Sequence, residues 1–541
     1  MVRQRKQASN GNTSASTPSK EDLKECLHQQ QEDKPSDTWG EWLYDPIDAK
    51  PFAVLRILWG LVLVMECWSF MRGNFTKADS SFFGLKVNLP YYGFQWLPKL
   101  TLPQAHALIV FCFVSAWGVT LGIFYKFSMT CFVLGFSYVY FYEGSVYLNH
   151  LYLLLVICST FAILPCNTRY SVDSYVFKGV YSKTVPRWTA VILYVLLTCV
   201  YGHAAQAKCN RDWLRAEPLR HWLPKRVMFY GPLLGQESFA YFLSYGGLIY
   251  DAIAAPLLIY KPTRLLGIGL NVFFHVTNKL IFSIGIFPYM MLSFLVLFVD
   301  LSFLDTIIPP PLEDGEEEVE VGRKGRGKMV IRRKDKGRKH KASSLKKMMI
   351  ITLIITYGAF HALFPLRHHF YPGYVAWNEY GHLYSWRMKL RDKNCEIRDV
   401  IATDPRTGNN FTAKKVFNAQ FSKRQISALR SRPDFLSTGA HATSKALQEM
   451  NKIDLHVPVY LDVWCQLNFG PLTQFTNPEF DMASHETFDW PYPWLQPEPE
   501  FPDELYKDYP WNFEWTFSWI TTFPSCHLRD NNPLYDKGFR S

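Results

Sequence analysis

The chain has 541 residues, of which 48% are apolar and 16% aromatic, and it carries a formal net charge of +11. Its apolar residues are bunched into separate blocks, which excludes a plain string of soluble domains and marks a membrane protein. Thirteen basic residues fall between Arg323 and Lys347, beside the acidic run Glu313 to Glu320, so the positive balance reads as a solvated tether and predicts no nucleic-acid partner.

In chain order, residues 1–48 are polar and rich in Ser, Gln and charge, which predicts a disordered cytosolic tail rather than a cleavable signal peptide. Nine apolar blocks follow, near residues 52–71, 104–124, 127–142, 146–165, 188–207, 237–259, 264–283, 286–305 and 347–366. A membrane crossing takes about 20 such residues. The third block is short and Pro288 divides the seventh from the eighth, so eight or ten crossings stay open. Residues 49–308 then form a bundle of eight spans, 309–346 a charged cytosolic loop, 347–366 the last span and 367–541 a lumenal domain.

Orientation follows the cations of the short loops. Lys126, Arg169, Lys178, Lys183, Arg187, Lys261 and Arg264 fall on one side, predicted cytosolic, together with the N-terminus. The loop after the first span, Lys208, and everything after Leu366 fall on the other. Asn74 and Asn410 open N-x-T sequons on that second side, where glycan acceptors lie.

The C-terminal stretch changes character, with Trp, Tyr and Pro clusters, a strand-like run "HVPVYLDVWCQL" and an amphipathic helix around Phe435 to Met450. The predicted fold is mainly α, a polytopic membrane helix bundle of about nine spans with a small mixed α+β lumenal C-terminal domain. Of the eleven cysteines only Cys209, Cys395, Cys465 and Cys526 reach the lumenal side. A disulfide among those four is allowed, and spacing does not assign it.

No segment offers phosphate-loop spacing, a Cys-x-x-Cys pair or a His-Glu-x-x-His pattern, so phosphoryl transfer and zinc chemistry lack support. The candidates are instead polar side chains inside or at the ends of apolar blocks, which are costly in a bilayer. Arg56, Glu66 and Asp251 read as structural groups that pair inside the bundle or cap a water pocket. His150, Lys208, His275 and Asn278 converge in one predicted layer near the lumenal side. A lysine held in apolar surroundings loses the hydration of its ammonium form and becomes a usable base. The competing reading for Lys208 is snorkelling, with the stem lifting the amine into the headgroups.

Several ordered segments carry a resemblance. "LGIFYKFSMTCFVLGFSYVYFYEGSVYLNHLYLLL", "YSVDSY", "AKCNRDW", "RHWLPKR", "FFHVTNKLIFSIGIFPYMML", "GYVAWNEYGHLYSWRMKL" and "VYLDVWCQLN" occur in that order between about Ala49 and Asn468. Together they resemble the vitamin K-dependent gamma-glutamyl carboxylases of the endoplasmic reticulum membrane. The resemblance implies carboxylation of protein glutamate side chains to gamma-carboxyglutamate. The reaction is coupled to oxygenation of vitamin K hydroquinone to its epoxide, with oxygen and carbon dioxide as co-substrates and no metal.

Site residues carry over by motif. The family's lysine base, which starts the reaction on the hydroquinone, maps through "AKCNRDW" onto Lys208. Its histidine maps through "YLNHLYL" onto His150, beside Asn149. Phe274, His275, Asn278, Phe282 and Ile284 would line the naphthoquinone pocket, with the isoprenoid tail between spans. Arg220, His221 and Trp222 of "RHW" are the candidates for holding the substrate carboxylate, since a guanidinium fork fits it. Trp377, Tyr384 and Trp386 would shape a lumenal lid. The implied partners are secreted or membrane proteins bearing Glu, a vitamin K epoxide reductase that recycles the quinone, and the bilayer.

Three departures stand out. Animal members commonly carry two adjacent lysines where this chain has Ala207 and Lys208, so desolvation alone would have to free the amine. The family's usual lumenal disulfide is absent at Asn88 and Ser444. Animal members also continue through a large lumenal region beyond the aromatic segment, so a clotting-type propeptide is not implied here. A membrane quinol-oxidising enzyme with another acceptor, and a non-enzymatic lipid carrier on the same scaffold, are the competing functions, because fold does not fix function.

Overall fold

The computed structural model describes residues 38–308 and 343–498, apart from 178, 227, 229, 230 and 283. The expected tail up to residue 37, the charged loop from 309 to 342, and residues 499–541 with Cys526 lie outside the described residues.

The bundle runs through α1 (Lys50–Met71), α2 (Leu102–Leu121), α3 (Tyr125–Tyr142), α4 (Asn149–Ile163), α5 (Trp188–Lys208), α6 (Glu237–Ile259), α7 (Arg264–Phe282), α8 (Phe287–Ser293) and α9 (Ser344–Leu363). Local chemistry sets the ends. Pro51 opens α1, Thr101 and Gln104 form a capping box before α2, and Gly122 closes α2 in the left-handed region at φ 69°. Among the described residues six helices are long and apolar enough to cross a membrane: α1, α2, α5, α6, the span Lys261–Phe282 that contains α7, and the span Ser344–Phe370 that contains α9.

The count of nine spans is therefore not reached. At 18 residues α3 has the length, but Lys126, Ser128, Thr130, Ser137 and four tyrosines dilute it. α4 has only 15 residues, about 22 Å, against a hydrocarbon core of about 30 Å. Pro288 lies in the first turn of α8, whose 7 residues run into the 3-10 turn Phe294–Phe298.

The bundle has two different faces. On one, β1 (Pro46–Asp48) pairs antiparallel with β2 (Thr184–Pro186), and Lys50 and Arg169 both bind Asp305, at 2.7 and 2.6 Å. Just inside it the buried Arg56 donates to the carbonyls of Val119 (2.7 Å), Thr120 (2.6 Å), Cys166 (3.2 Å) and Tyr170 (2.5 Å). A guanidinium suits the unsatisfied carbonyls at the end of α2.

The opposite face carries the C-terminal domain. Its antiparallel sheet has the order β4-β3-β5-β6, from β3 (Lys393–Thr403), β4 (Asn410–Thr412), β5 (Val459–Leu467) and β6 (Thr473–Gln474). β5 buries every second residue, as the alternation of Val459, Leu461, Val463 and Leu467 dictates. Helix α10 (Pro433–Asn451) packs Phe435, Leu436 and Leu447 into the same core. Cys395 and Cys465 face each other in the β3–β5 register and form a disulfide, which resolves the pairing left open by spacing; Cys209 is free and exposed.

Domain and bundle meet at several polar contacts. Lys86 and the Val87 carbonyl bind Ala419 and Gln425, at 2.9 and 2.8 Å. Asp212 accepts from Asn468 at 2.7 Å, and Asp392 accepts from Trp222 at 2.9 Å. The sequons Asn74 and Asn410 are both exposed on this face. Asn74 sits at φ 55° in the turn after α1, and Asn410 lies on the edge strand β4.

Candidate active site

Lys208 is the last residue of α5 and is only 7% exposed. Side chains of an α-helix lean toward its N-terminus. The lysine stem follows that direction back into the bundle, where its amine donates to Asp251 Oδ2 at 2.5 Å and lies 3.5 Å from the Ala204 carbonyl. The amine does not snorkel. Trp213 covers it, with the ring centroid 5.2 Å from Nζ, and Gly247 of α6 lies against both, since a Cβ there would meet the lysine Cε at 3.9 Å and the indole at 3.7 Å in ordinary contact.

Asp251 is 4% exposed, so the pair is removed from bulk water. Asp251 pairs inside the bundle as expected, and its partner is Lys208. The amine, expected to rest on desolvation alone, has a carboxylate beside it instead. Burying two charges costs several kcal/mol each and is offset only by close geometry.

A second polar group lies deeper. Tyr201, two turns before Lys208 on α5, and Tyr250, beside Asp251 on α6, each reach Asn271 Oδ1 at 2.8 Å. Their oxygens also lie 3.0 and 3.3 Å from His275 Nε2. The two hydroxyl oxygens lie 3.1 Å apart, so each proton can serve Asn271, the other hydroxyl or Nε2, and the imidazole tautomer follows from that choice. The other ring nitrogen, Nδ1, is buried and without a partner among the described residues. Tyr201, Tyr250 and Asn271 were missed from sequence; Asn271 stands four residues before His275, an i,i+4 pair inside an apolar span that could have been read.

His150 lies in the first turn of α4. Its ring faces Gly285, where a Cβ would approach Nε2 to 3.4 Å. Asn149 accepts from the Tyr147 hydroxyl at 2.9 Å and donates to the Arg387 carbonyl at 3.3 Å. The segment after α7 joins this corner to the deeper one, since Phe287 lies 5.7 Å, ring to ring, from His275. Phe274 stacks on Tyr250 at 3.8 Å. Asn278 turns back to its own helix, donating to the Phe274 carbonyl at 3.0 Å. Phe282 touches Trp222 at 6.3 Å, and Ile284 is half-buried in the turn before α8. Leu153, Ile157, Leu196, Val200, Met291 and Phe294 enclose a small apolar gap.

The "RHW" residues are occupied differently from what the resemblance implied. Arg220 is ion-paired with Glu237, lies 3.7 Å from Glu217 and donates to the Tyr241 hydroxyl at 3.1 Å. Its guanidinium is thus matched by carboxylates of its own chain. His221 stacks on Phe469 at 3.6 Å, and Trp222 is bonded to Asp392, so this short helix (Glu217–Trp222) is a seat for the C-terminal domain. Tyr384 and Trp386 contact Tyr152 of α4 at 4.8 and 5.1 Å. Trp377 is domain core, 2% exposed and bonded to the Gln496 carbonyl.

Fold and site define a polytopic membrane protein with buried titratable side chains beneath a docked sheet domain. Family models agree: the HTTM domain matches residues 44–303, and the lumenal domain of vitamin K-dependent gamma-carboxylase matches residues 346–500. Both domains are characteristic of the vitamin K-dependent gamma-glutamyl carboxylase family, and the chain is similar to that family over the two matched stretches. No solved structure matches the chain.

Proposed function

We propose that this protein carboxylates glutamate side chains of other proteins to gamma-carboxyglutamate, coupled to oxygenation of vitamin K hydroquinone to its epoxide, with Lys208 as the initiating base. The observation that carries the reading is the buried Lys208–Asp251 pair on the face that bears the C-terminal domain. Residues present suit the ring of the cofactor, because the unpartnered Nδ1 of His275 offers a polar contact to a ring hydroxyl between the apolar faces of Phe274 and Phe287. When bound, the hydroquinone supplies the reducing electrons for oxygen and the base strength that a glutamate methylene requires and no side chain has.

The chain's own residues supply the rest. A proton passed from Nζ to Asp251 Oδ2 leaves a neutral amine whose lone pair can take a ring-hydroxyl proton, while the pair stays neutral overall. Asp251 thereby orients the amine and stores its proton. The Trp213 indole shields the amine from water on the domain side. Asn149, fixed by Tyr147 and the Arg387 carbonyl, steadies the first turn that presents His150.

The same reading places the protein in the endoplasmic reticulum membrane with its N-terminus cytosolic and its C-terminal domain lumenal, Asn74 and Asn410 being available to glycosylation. A vitamin K epoxide reductase would recycle the quinone. The test is purified, lipid-reconstituted protein given chemically reduced vitamin K, labelled carbon dioxide and a short Glu-containing peptide. Wild type is expected to label the peptide and form epoxide; Lys208→Ala should lose both, with partial return on adding a small amine or raising the pH. Epoxide without labelled peptide in the wild type would favour a quinol oxidase with another acceptor. Neither epoxide nor labelled peptide from the wild type or from Lys208→Ala would favour a lipid carrier.

A further inference from the structure

Residues 384–389 cross the junction between α4 and the short helix Glu217–Trp222. Tyr384 donates its N–H to the Tyr147 hydroxyl at 2.7 Å, and the Lys389 amine lies 5.4 Å from the centroid of the Trp222 ring. The backbone of this strap is strained: Tyr384, Trp386 and Lys389 hold φ of 59°, 54° and 52°. Non-glycine residues held in that region are strained and gather where function requires them.

In the middle sits Arg387, 7% exposed. Its side chain makes no ion pair and no hydrogen bond among the described residues, and its Nε, like the neighbouring Trp386 Nε1, is buried without a partner. The cations around it have bonded partners, charged or neutral. Glu379 binds Arg391 and Lys393, Asp434 binds Arg432, and Arg367 is spent on the Phe364 and Leu383 carbonyls and the Ser385 hydroxyl. Burial pushes the Arg387 guanidinium down to about 10, which still leaves it charged at neutral pH. A desolvated cation with no direct ion-pair partner, which feels Glu379 only through a charge already bound to Arg391 and Lys393, costs stability and returns little to the fold.

We propose that Arg387 is a carboxylate receptor, and that the carboxylate it takes is the side chain of the substrate glutamate. The inference rests on the carboxylase reading for the identity of the substrate. A guanidinium fork binds a carboxylate through two parallel hydrogen bonds. It also offsets the second negative charge that builds up when a proton leaves the carbon next to an ionised carboxylate, a preorganised electrostatic aid to that step. Arg220, the residue the resemblance favoured, has its carboxylates already.

The experiment reads binding before activity. Reconstituted full-length protein, without cofactor, is titrated into labelled short peptides that carry glutamate or glutamine at one position, and fluorescence anisotropy is followed. Wild type is expected to prefer glutamate by at least about tenfold, Arg387→Met to lose the preference, and Arg387→Lys to keep part of it. Arg387→Met should melt at or above the wild-type temperature, because no partner is left behind, whereas a structural arginine would lower it. Equal binding of both peptides by the wild type overturns the assignment, and so does an undiminished preference in Arg387→Met. If Arg387→Met does not fold, the wild-type preference and its weakening in Arg387→Lys decide. If excess bicarbonate or acetate binds in an Arg387-dependent way while the two peptides bind alike, the receptor serves a small free anion and the assignment to the substrate side chain falls. A wild type that selects glutamate yet labels no peptide sinks the carboxylase reading alone.

Discussion

Asp251 is the residue on which Lys208 depends. Replacing it by asparagine keeps the shape but removes the proton store, so Asp251→Asn is expected to cut peptide labelling and epoxide formation together by about a hundredfold, within the range seen for general acid–base groups. Glutamate-peptide binding should be unchanged in that variant; unchanged turnover would show the carboxylate to be structural only. The double change Lys208→Met with Asp251→Leu removes both charges and should melt close to wild type, since apolar replacement of a buried pair is often neutral while loss of one partner costs about 3–5 kcal/mol. Lys208 and His150 could be read from sequence because a charge or imidazole at the edge of an apolar run is conspicuous. The partner of Lys208 could not, because it lies 43 residues away on another helix. Arg387 stayed hidden for a related reason: it lies among many arginines, and only the contacts show that this buried one has neither a carboxylate nor a hydrogen-bond partner among the described residues.

At the scale of elements, the closest approach of two helices rests on Gly60. A Cβ added there would lie 2.7 Å from the Thr120 Cα and 2.8 Å from its nitrogen, so α1 and α2 touch backbone to backbone, as small residues allow between membrane helices. Gly60→Ala must push the helices apart and is expected to cost about 1–3 kcal/mol, visible as a lower melting temperature in detergent. An unaltered melt would mean that the pair can separate freely. The long apolar runs that became α1, α2, α5, α6, α7 and α9 were legible because length and hydropathy are local properties. The shorter α4 and α8 were overestimated because their ends are set by contacts. The turn before α4 is held by Glu143 accepting from the Ser145 N–H at 3.2 Å, and α8 begins where Pro288 allows. Strand β5 showed its period of two, but the three-residue pairing of β1 with β2 and the Cys395–Cys465 bond depend on register, which no single segment contains.

At the scale of the whole molecule, the joint between bundle and domain contains a buried acid. Glu143 is fully buried and accepts from the Leu89 N–H (3.1 Å), Asn88 Nδ2 (3.3 Å) and Gln425 Nε2 (3.4 Å), the last from the C-terminal domain. Burial pushes its carboxyl up to about 7 from an ordinary 4.5, outweighing those donors, and the charge of Arg424 is the cation that feels it. Between those two values the folded protein holds a proton that the unfolded chain has lost. The stabilisation is thus complete below about pH 4.5 and is lost as the pH rises through about 7, a swing of about 3 kcal/mol. Melting temperature should therefore fall between pH 5 and pH 8 in the wild type, by several degrees on the usual scale of about 2–4 °C per kcal/mol. Glu143→Gln keeps an acceptor oxygen for the Leu89 N–H and has nothing to ionise, so its melt should be flatter over the same range. Parallel decline of the two proteins would assign the pH response to another group, whereas a flat variant would identify this joint as the place where the domain loosens from the bundle as the carboxyl ionises.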